Sequence, residues 1–168
     1  FDPEWGGPGE VSFEELEDWT YRKEEGIRYF SGIAVYRKHF FLPDEKILRK
    51  AGKIYLDLGN VEVMARVHLN GKETGILWSY PWQTEITNAL KTGDNFLEIE
   101  VANLWPNRLI GDEQKEDDGI KGGKWPDWFP DKNARSSGRF TFTTARLYKA
   151  DSPLLKSGLL GPVRILAE

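Results

Sequence analysis

Residues 53–103, KIYLDLGNVEVMARVHLNGKETGILWSYPWQTEITNALKTGDNFLEIEVAN, decide the fold class of this chain. Apolar and polar residues alternate in three segments of the stretch, at 54–58, 63–69 and 97–101. Successive side chains of a strand point to opposite faces, so this period of two predicts antiparallel strands that each bury one face. The predicted buried positions are Ile54, Leu56 and Leu58, then Val63, Ala65, Val67 and Leu69, and finally Leu97, Ile99 and Val101.

Turn residues separate these segments. Asn70-Gly71 follows the second segment, and Gly93-Asp94-Asn95 precedes the third. Asn and Gly tolerate positive φ, which favours tight turns between strands. Further strands are predicted at 33–42, which Pro43 ends, and late in the chain at 139–144 and 161–167. The sum is about eight strands, which predicts an all-β, antiparallel jelly-roll-like β-sandwich with long loops at one end.

The remaining segments are predicted to be irregular or briefly helical. Residues 1–32, rich in Gly and Pro at the start, form an irregular N-terminal segment packed on a sandwich of residues 33–168. Ser12 and Glu15 have the spacing of a capping box, which favours a short helix or turn after them. Residues 87–91 favour a brief helix capped by Thr87. Residues 44–52 fit either a charged helical turn or a loop.

Composition excludes several classes of function. The 168 residues fit one domain, and a formal net charge of −4 argues against nucleic acid or an anionic membrane as a partner. The absence of cysteine excludes disulfides, thiol nucleophiles and cysteine-ligated zinc. No apolar run approaches the length of a membrane span. The chain starts at Phe1 and its single methionine is Met64, which favours a piece excised from a longer polypeptide.

Several motifs, taken in order, resemble a known family. VHLNGKETG at 67–75 and SYPWQTEITNALKTGDNFLEIEVAN at 79–103 are similar to the sugar-binding, galactose-binding-domain-like β-sandwich of glycoside hydrolase family 2 enzymes. The flanking segments IRYFSGIAVYRKHFFLP (27–43), NLWPNRLIGDEQ (103–114) and RFTFTTARLYKADSPLLKSGLLGPVRI (139–165) are most similar to the terminal β-sandwich of family 106 α-L-rhamnosidases. The resemblance covers roughly residues 10–168, and the order of the motifs is more specific than any single one.

The resemblance implies a function as well as a fold. In these glycosidases the catalytic carboxylates lie on a separate barrel domain, so no catalytic residue is expected in this chain. The implied partners are the catalytic domain of a parent enzyme and carbohydrate, namely plant or algal polysaccharide fragments that include rhamnose-containing ones. A bacterial extracellular or periplasmic location is implied in the same way.

The long segment at 104–138 is predicted to be a loop, and 103–131 to be the functional face of the domain. By the resemblance, Asp112 and Glu113 reach toward sugar, a cation or the catalytic domain, with Asn107 and Arg108 as hydrogen-bonding partners. The alternative is that these side chains only hold the loop in place. Stacking on sugar rings is predicted for Trp105, Trp125 and Trp128, with an inter-domain contact as the alternative.

Other candidates favour structural roles. Trp78, Tyr80 and Trp82 alternate, and packing over the sandwich end as a core wedge is favoured over a sugar-binding face. His39 and His68 lack the partners of a catalytic pair. The acids at 112–118 favour a solvated charge run. A structural calcium stays open, because those acids supply oxygens but lack EF-hand spacing.

Three functions compete on these grounds. The first is a glycan-binding domain or one that supports a catalytic domain, and the second is a structural interaction module without sugar affinity. The third is a self-contained hydrolase, which ranks last because glycoside hydrolysis needs two carboxylates across a cleft and the acids form one local cluster.

Overall fold

The computed structural model describes residues 1–44 and 52–168. Among these residues, nine strands and two short α-helices alternate with irregular segments. The strands are β1 (Ile33–Leu42), β2 (Ile54–Asp57), β3 (Asn60–Val61), β4 (Met64–Leu69), β5 (Lys72–Leu77), β6 (Gln83–Glu85), β7 (Gly93–Ala102), β8 (Leu159–Gly161) and β9 (Arg164–Ala167). The helices are α1 (Glu25–Arg28) and the helix that we label α2 (Pro106–Asp112), and 3₁₀ turns lie at Pro3–Trp5, Trp19–Tyr21 and Lys132–Ala134.

The strands form antiparallel sheets. The largest has the order β1-β7-β4-β5, a second has the order β6-β2-β9, and β3 pairs with β8. Strands β2, β4 and β7 each alternate between buried and partly exposed residues, and their buried residues belong to one hydrophobic core. The predicted all-β antiparallel sandwich of galactose-binding-like type is therefore confirmed.

The predicted core positions are buried with one exception. Ile54, Leu56, Leu58, Ala65, Val67, Leu69, Leu97, Ile99 and Val101 are all in the core. The prediction for Val63 is wrong, because this residue precedes β4 in a bend with a φ of 78° and is 37% exposed. A residue with positive φ breaks the alternation, so its side chain does not continue the buried face.

The Asn-Gly-Lys and Gly-Asp-Asn motifs meet in a buried network of amides. Asn70 Nδ2 donates to Asn95 Oδ1 (2.8 Å) and to the Ala89 carbonyl (2.8 Å), and Asn70 Oδ1 accepts from the Phe96 amide (3.0 Å). Asn95, which is fully buried, donates to the carbonyls of Lys91 and Gly93. The network joins the β4–β5 hairpin to the start of β7, which explains why these residue types stand at these turns.

The N-terminal segment buries aromatic side chains against the sandwich. Phe1, Trp19 and Phe30 pack against one another with ring centroids 5.1 to 5.9 Å apart. Of the short helix or turn predicted after Ser12, the helix does not form. The Trp19–Tyr21 turn forms instead, and Asp18 caps it by accepting from the Thr20 amide (2.9 Å).

Two further predictions of local structure are corrected. Residues 87–91 form a single hydrogen-bonded turn rather than a helix, and Thr87 accepts from the Ile54 amide (2.9 Å) instead of capping it. Residues 139–144 are not a strand, because their backbone and side chains contact α2 and the acids that follow it. The alternatives for 44–52 fall almost wholly on 45–51, outside the described residues. No helix in the described part of the chain has the length and apolar character needed to cross a membrane.

Candidate functional site

The polypeptide leaves β7 and enters helix α2 within four residues. Pro106 stands in the first turn of α2, where its fixed φ suits a helix start and its missing N–H is not needed. Gly111 faces Tyr29 so closely that a Cβ at this position would lie 2.6 Å from the Tyr29 side chain. The segment 103–114, predicted as a loop, is therefore mainly a helix docked on the N-terminal segment. The Trp-Pro pair after the strand was the signal for this helix.

Two predicted site residues on α2 hold later parts of the chain. Asn107 donates to the Leu155 carbonyl (2.7 Å) and accepts from the Leu155 amide (2.8 Å). Asp112 Oδ2 accepts from the amides of Phe140 (3.1 Å) and Thr141 (2.7 Å) and from the Thr141 hydroxyl (2.6 Å). Both side chains are buried. They fix the returning segments against the helix.

The acids after α2 are paired with arginines in a partly buried network, which corrects the expectation of a solvated charge run. Arg135 binds Asp118 through two nitrogens, at 2.5 and 3.0 Å. Arg139 binds Glu113 (2.9 Å), and Arg146 binds Asp117 (2.5 Å) and approaches Glu113 (3.6 Å). We call these six residues the ion-pair network: Glu113, Asp117, Asp118, Arg135, Arg139 and Arg146.

This network lowers the pKa of one partly buried acid, Asp118. Burial alone would raise the pKa of Asp118, but hydrogen bonds from Arg135 and Ser137 and the nearby positive charges outweigh burial and hold that pKa below its ordinary value. No local sequence pattern indicates the three arginines, because they lie 17 to 33 residues from the acids that they bind.

Four aromatic side chains form a separate cluster beside the network: Trp125, Trp128, Phe129 and Phe142. Trp128 Nε1 donates to the Asp118 carbonyl (2.9 Å), and the Arg135 guanidinium lies 4.3 Å from the Trp128 ring centroid. Trp125 packs on Phe129 and Phe142 yet remains 55% exposed. The cluster thus presents one anchored and one open indole.

Arg108 lies at a cleft of about 350 Å³ between α2, the N-terminal segment and residues 136–140. Its side chain is buried, and the Phe140 ring centroid lies 4.7 Å from the guanidinium carbon. Nε and Nη2 of Arg108 have no hydrogen-bond partner among residues 1–44 and 52–168. Burial also lowers the pKa of this guanidinium from its usual value.

Trp105 lies apart from these two regions, at the end of the sandwich where β7 ends. It is 56% exposed, and Leu104 beside it is also exposed. Trp78 and Tyr80 follow the end of β5 and are 73% and 84% exposed, so the predicted core wedge is wrong for both. Only Trp82 of that segment packs against the core.

The seven predicted site residues therefore divide among several environments. Asn107 and Asp112 are engaged in internal hydrogen bonds, Glu113 in ion pairs, and Trp128 in the aromatic cluster, whereas Arg108, Trp105 and Trp125 keep groups that a ligand can use. Within the described residues, no group of three or more His, Cys, Asp or Glu side chains is arranged to hold a metal ion.

Comparison with known proteins gives one family and a set of long relatives. Residues 10–141 match the family described as glycosyl hydrolase 2 galactose-binding domain-like. A protein of Formosa agariphila, provisionally named beta-glucuronidase, is 48% identical over 159 residues, which are 92% of this chain and 14% of that protein.

Two solved structures extend the comparison. The structure of a rhamnosidase from Novosphingobium sp. PP1Y superposes with a TM-score of 0.78 and 36% identity, over 98% of this chain and 14% of the rhamnosidase. A beta-glucuronidase from Ruminococcus gnavus superposes with a TM-score of 0.50 and 25% identity, over 61% of this chain and 19% of that enzyme. The chain thus spans less than one fifth of the length of each of these relatives.

Proposed function

Because the chain belongs to the glycosyl hydrolase 2 galactose-binding domain-like family, we propose that it is a non-catalytic, carbohydrate-associated domain of a multidomain glycoside hydrolase. The parent enzyme we propose is of the α-L-rhamnosidase type, and the domain binds glycan or supports the catalytic domain. The observation that carries this proposal is the similarity to the Novosphingobium rhamnosidase, which extends over 98% of this chain but 14% of that protein.

The glycan contacts we propose fall on the exposed indoles and the groups beside them. Trp125 is 55% exposed where it packs on Phe129 and Phe142, and an exposed indole of this kind suits stacking on the C–H groups of a sugar ring. Trp105 and the partly exposed Trp128 are the further stacking positions that we propose. Arg108 and Glu113 are the proposed hydrogen-bonding groups, although Glu113 is already paired with Arg139. Asn107 and Asp112 are positioning residues, because their side chains hold residues 140, 141 and 155.

The proposed partners follow from the same assignment. They are the catalytic domain of the parent enzyme and fragments of plant or algal polysaccharide, with rhamnose-containing fragments included. An extracellular or periplasmic location in a bacterium belongs to the proposal, since plant and algal polysaccharides are found outside the cytoplasm.

Titration of the purified domain tests the proposal. L-Rhamnose, galactose and pectic or ulvan-type oligosaccharides are added while tryptophan fluorescence is recorded. We expect a saturable change with a dissociation constant on the order of millimolar, about 4 kcal/mol, which one stacked ring and two or three hydrogen bonds supply. Trp125→Ala should abolish this change. Trp5→Ala is the matched control, because Trp5 is similarly exposed at 49% and lies far away in sequence.

A second candidate function is an inter-domain module without sugar affinity, and the exposed residues at one end of the sandwich favour it. Leu77 at the end of β5 pairs with Ala65, which pairs with Val101, which pairs with Ala34. The starts of β1 and β4 and the ends of β5 and β7 therefore lie together at one end of the sandwich. The exposed apolar side chains at or next to these strand ends are Ile33, Val63, Trp78, Tyr80, Leu104 and Trp105. An exposed apolar patch of this kind is typical of a contact with another domain.

The two candidates are separated by one variant. Trp78→Ser should leave the melting temperature of the isolated domain unchanged, because the side chain is 73% exposed. If the second candidate is correct, the same change lowers the melting temperature of the parent enzyme, and no sugar alters the fluorescence of the isolated domain. An unchanged melting temperature of the parent enzyme would exclude this end of the sandwich as a domain contact.

A further inference from the structure

Arg108 has two buried nitrogens, Nε and Nη2, whose N–H groups lack an acceptor in the described part of the chain. A buried donor that lacks an acceptor is costly, and a charged one more so, because its hydration has been lost without replacement. The residue is only 6% exposed, so bulk water does not readily replace the missing acceptor. This side chain is therefore arranged for an acceptor that comes from outside the domain.

The two unpaired nitrogens identify the shape of that acceptor. Nε and Nη2 carry parallel N–H bonds on one edge of the planar guanidinium, a fork that matches the two oxygens of a carboxylate. A single hydroxyl or carbonyl oxygen satisfies only one member of such a fork well. Phe140 lies against the guanidinium, with its ring centroid 4.7 Å from the central carbon, and its side chain is 44% exposed.

The acids near Arg108 keep it charged but do not occupy the fork. Asp112 and Glu25 both favour the protonated guanidinium. Asp112 Oδ2 accepts from Phe140 and Thr141, and Glu25 pairs with Lys115 at 3.0 Å. The charge of each of these neighbours is thus engaged by another group.

The cleft beside Arg108 has the size and lining of a sugar site rather than of a site for a lone carboxylate. Its volume is about 350 Å³, within the range of small-molecule pockets. Tyr29 and Phe140 supply aromatic surface, while Glu25, Lys115 and the exposed Ser136 supply groups for ring hydroxyls.

We propose that this cleft binds the carboxylate of a hexuronate residue through the Arg108 fork, with the sugar ring in the cleft. The assignment rests on the proposed function and adds the class of sugar. Both nitrogens are closed to bulk water, so the proposal includes a movement of the Phe140 side chain, which packs on the guanidinium, to admit the carboxylate. Its main chain stays held by Asp112 during this movement, since the bond is to the Phe140 amide.

The test compares charged and neutral sugars by calorimetry or by NMR shift mapping of the intact domain. The probes are D-glucuronate, D-galacturonate, methyl glucuronate ester, L-rhamnose and sodium acetate. We expect both uronates to bind at least tenfold more tightly than the ester, rhamnose or acetate, with shifts centred on residues 108 and 136–140. Arg108→Lys, which keeps the charge but loses the fork, should weaken uronate binding at least tenfold. Arg164→Lys on exposed β9 is the matched control and should not change it.

Stability measurements keep the test informative if a variant binds poorly. Since the fork is unpaired, Arg108→Met should leave the melting temperature equal to or above that of the wild type while it removes uronate binding. A lower melting temperature with uronate binding retained would overturn the proposal and assign Arg108 a structural role. Acetate binding as tight as glucuronate would overturn the assignment to a sugar. Rhamnose binding without uronate preference would overturn this inference but leave the proposed function intact.

Discussion

Asn95 shows how a single side chain can support three parts of this fold. It is fully buried, accepts from the Lys91 amide (3.1 Å) and from Asn70, and donates to the carbonyls of Lys91 and Gly93. Every bonding group of the amide is therefore used, which allows a polar side chain to lie in the core without a net cost.

Replacement of Asn95 should be costly. Asn95→Ala leaves Asn70 Nδ2, the Lys91 amide and two carbonyls short of a partner, so we expect a loss of about 2 to 4 kcal/mol in the free energy of unfolding. Urea denaturation measures this change. Asn88→Ala, in the exposed turn nearby, is the control and should cost less than about 0.5 kcal/mol. Equal effects at both positions would show that the network contributes nothing.

A second prediction concerns Gly75, which packs closely against the Thr84 side chain. A Cβ at Gly75 would lie 2.6 Å from Thr84 Oγ1, and that hydroxyl also donates to the Thr74 carbonyl (2.6 Å). Gly75→Ala should therefore destabilise the domain by about 1 to 3 kcal/mol through overpacking. The double variant Gly75→Ala, Thr84→Ala should recover part of this loss. A double variant whose loss equals the sum of the two single losses would place the strain elsewhere.

At the scale of elements, predictability from the sequence depended on burial. The faces of β2, β4 and β7 could be predicted because a core imposes one period on each strand. Trp78 and Tyr80 could not, because a loop places a large side chain outward or inward without any periodic signal. The partners of the acids after α2 were equally hidden, since the Arg139–Glu113 and Arg135–Asp118 pairs form only when distant segments fold back.

The ion-pair network should make its own segment sensitive to acid. The pKa of Asp118 is held below its ordinary value, so its contribution to stability is present above the pKa of the unfolded chain, about 4. That contribution is lost as the pH falls through the lower pKa of the folded state. The pKa of Asp117 is also lowered, chiefly by the Gly119 amide and also by Arg146, and it adds to the effect.

Hydrogen exchange between about pH 5 and pH 2 measures this loss. We expect residues 113–146 to lose protection at a higher pH than β4 and β7 do. Asp118→Asn should reduce protection of the same segment already at neutral pH, because the carboxylate that Arg135 binds is gone. Simultaneous loss of protection in the segment and in the strands would contradict this expectation.

At the scale of the whole molecule, the acids that follow β7 bear on our proposal that the domain does not catalyse hydrolysis by itself. A glycosidase needs two carboxylates held roughly 5 to 10 Å apart across a cleft, with one free to donate a proton. Asp112 accepts three hydrogen bonds, and Glu113, Asp117 and Asp118 are paired with arginines. These acids are held by the structure rather than poised for proton transfer.

We therefore expect the purified domain to release neither rhamnose nor an aryl leaving group above the uncatalysed rate. Release of p-nitrophenol from aryl α-L-rhamnoside and aryl β-glucuronide measures this directly. The parent enzyme, assayed in parallel, is the positive control. Turnover by the domain that disappears with Asp112→Asn would overturn the assignment, provided that the variant retains the wild-type circular dichroism spectrum.

The hydrogen bonds that Asp112 accepts from the amides of residues 140 and 141 have a consequence for engineering. These bonds join residues that are 28 and 29 positions apart in sequence, so the polypeptide between them forms a loop whose two ends are held together. A protease nick or a short inserted peptide at the exposed Gly122-Gly123 turn would leave both flanks attached to the same helix. The nicked domain should stay folded as a complex of its two pieces. The domain with an inserted peptide should stay folded as one chain, so this turn is suitable for a reporter tag.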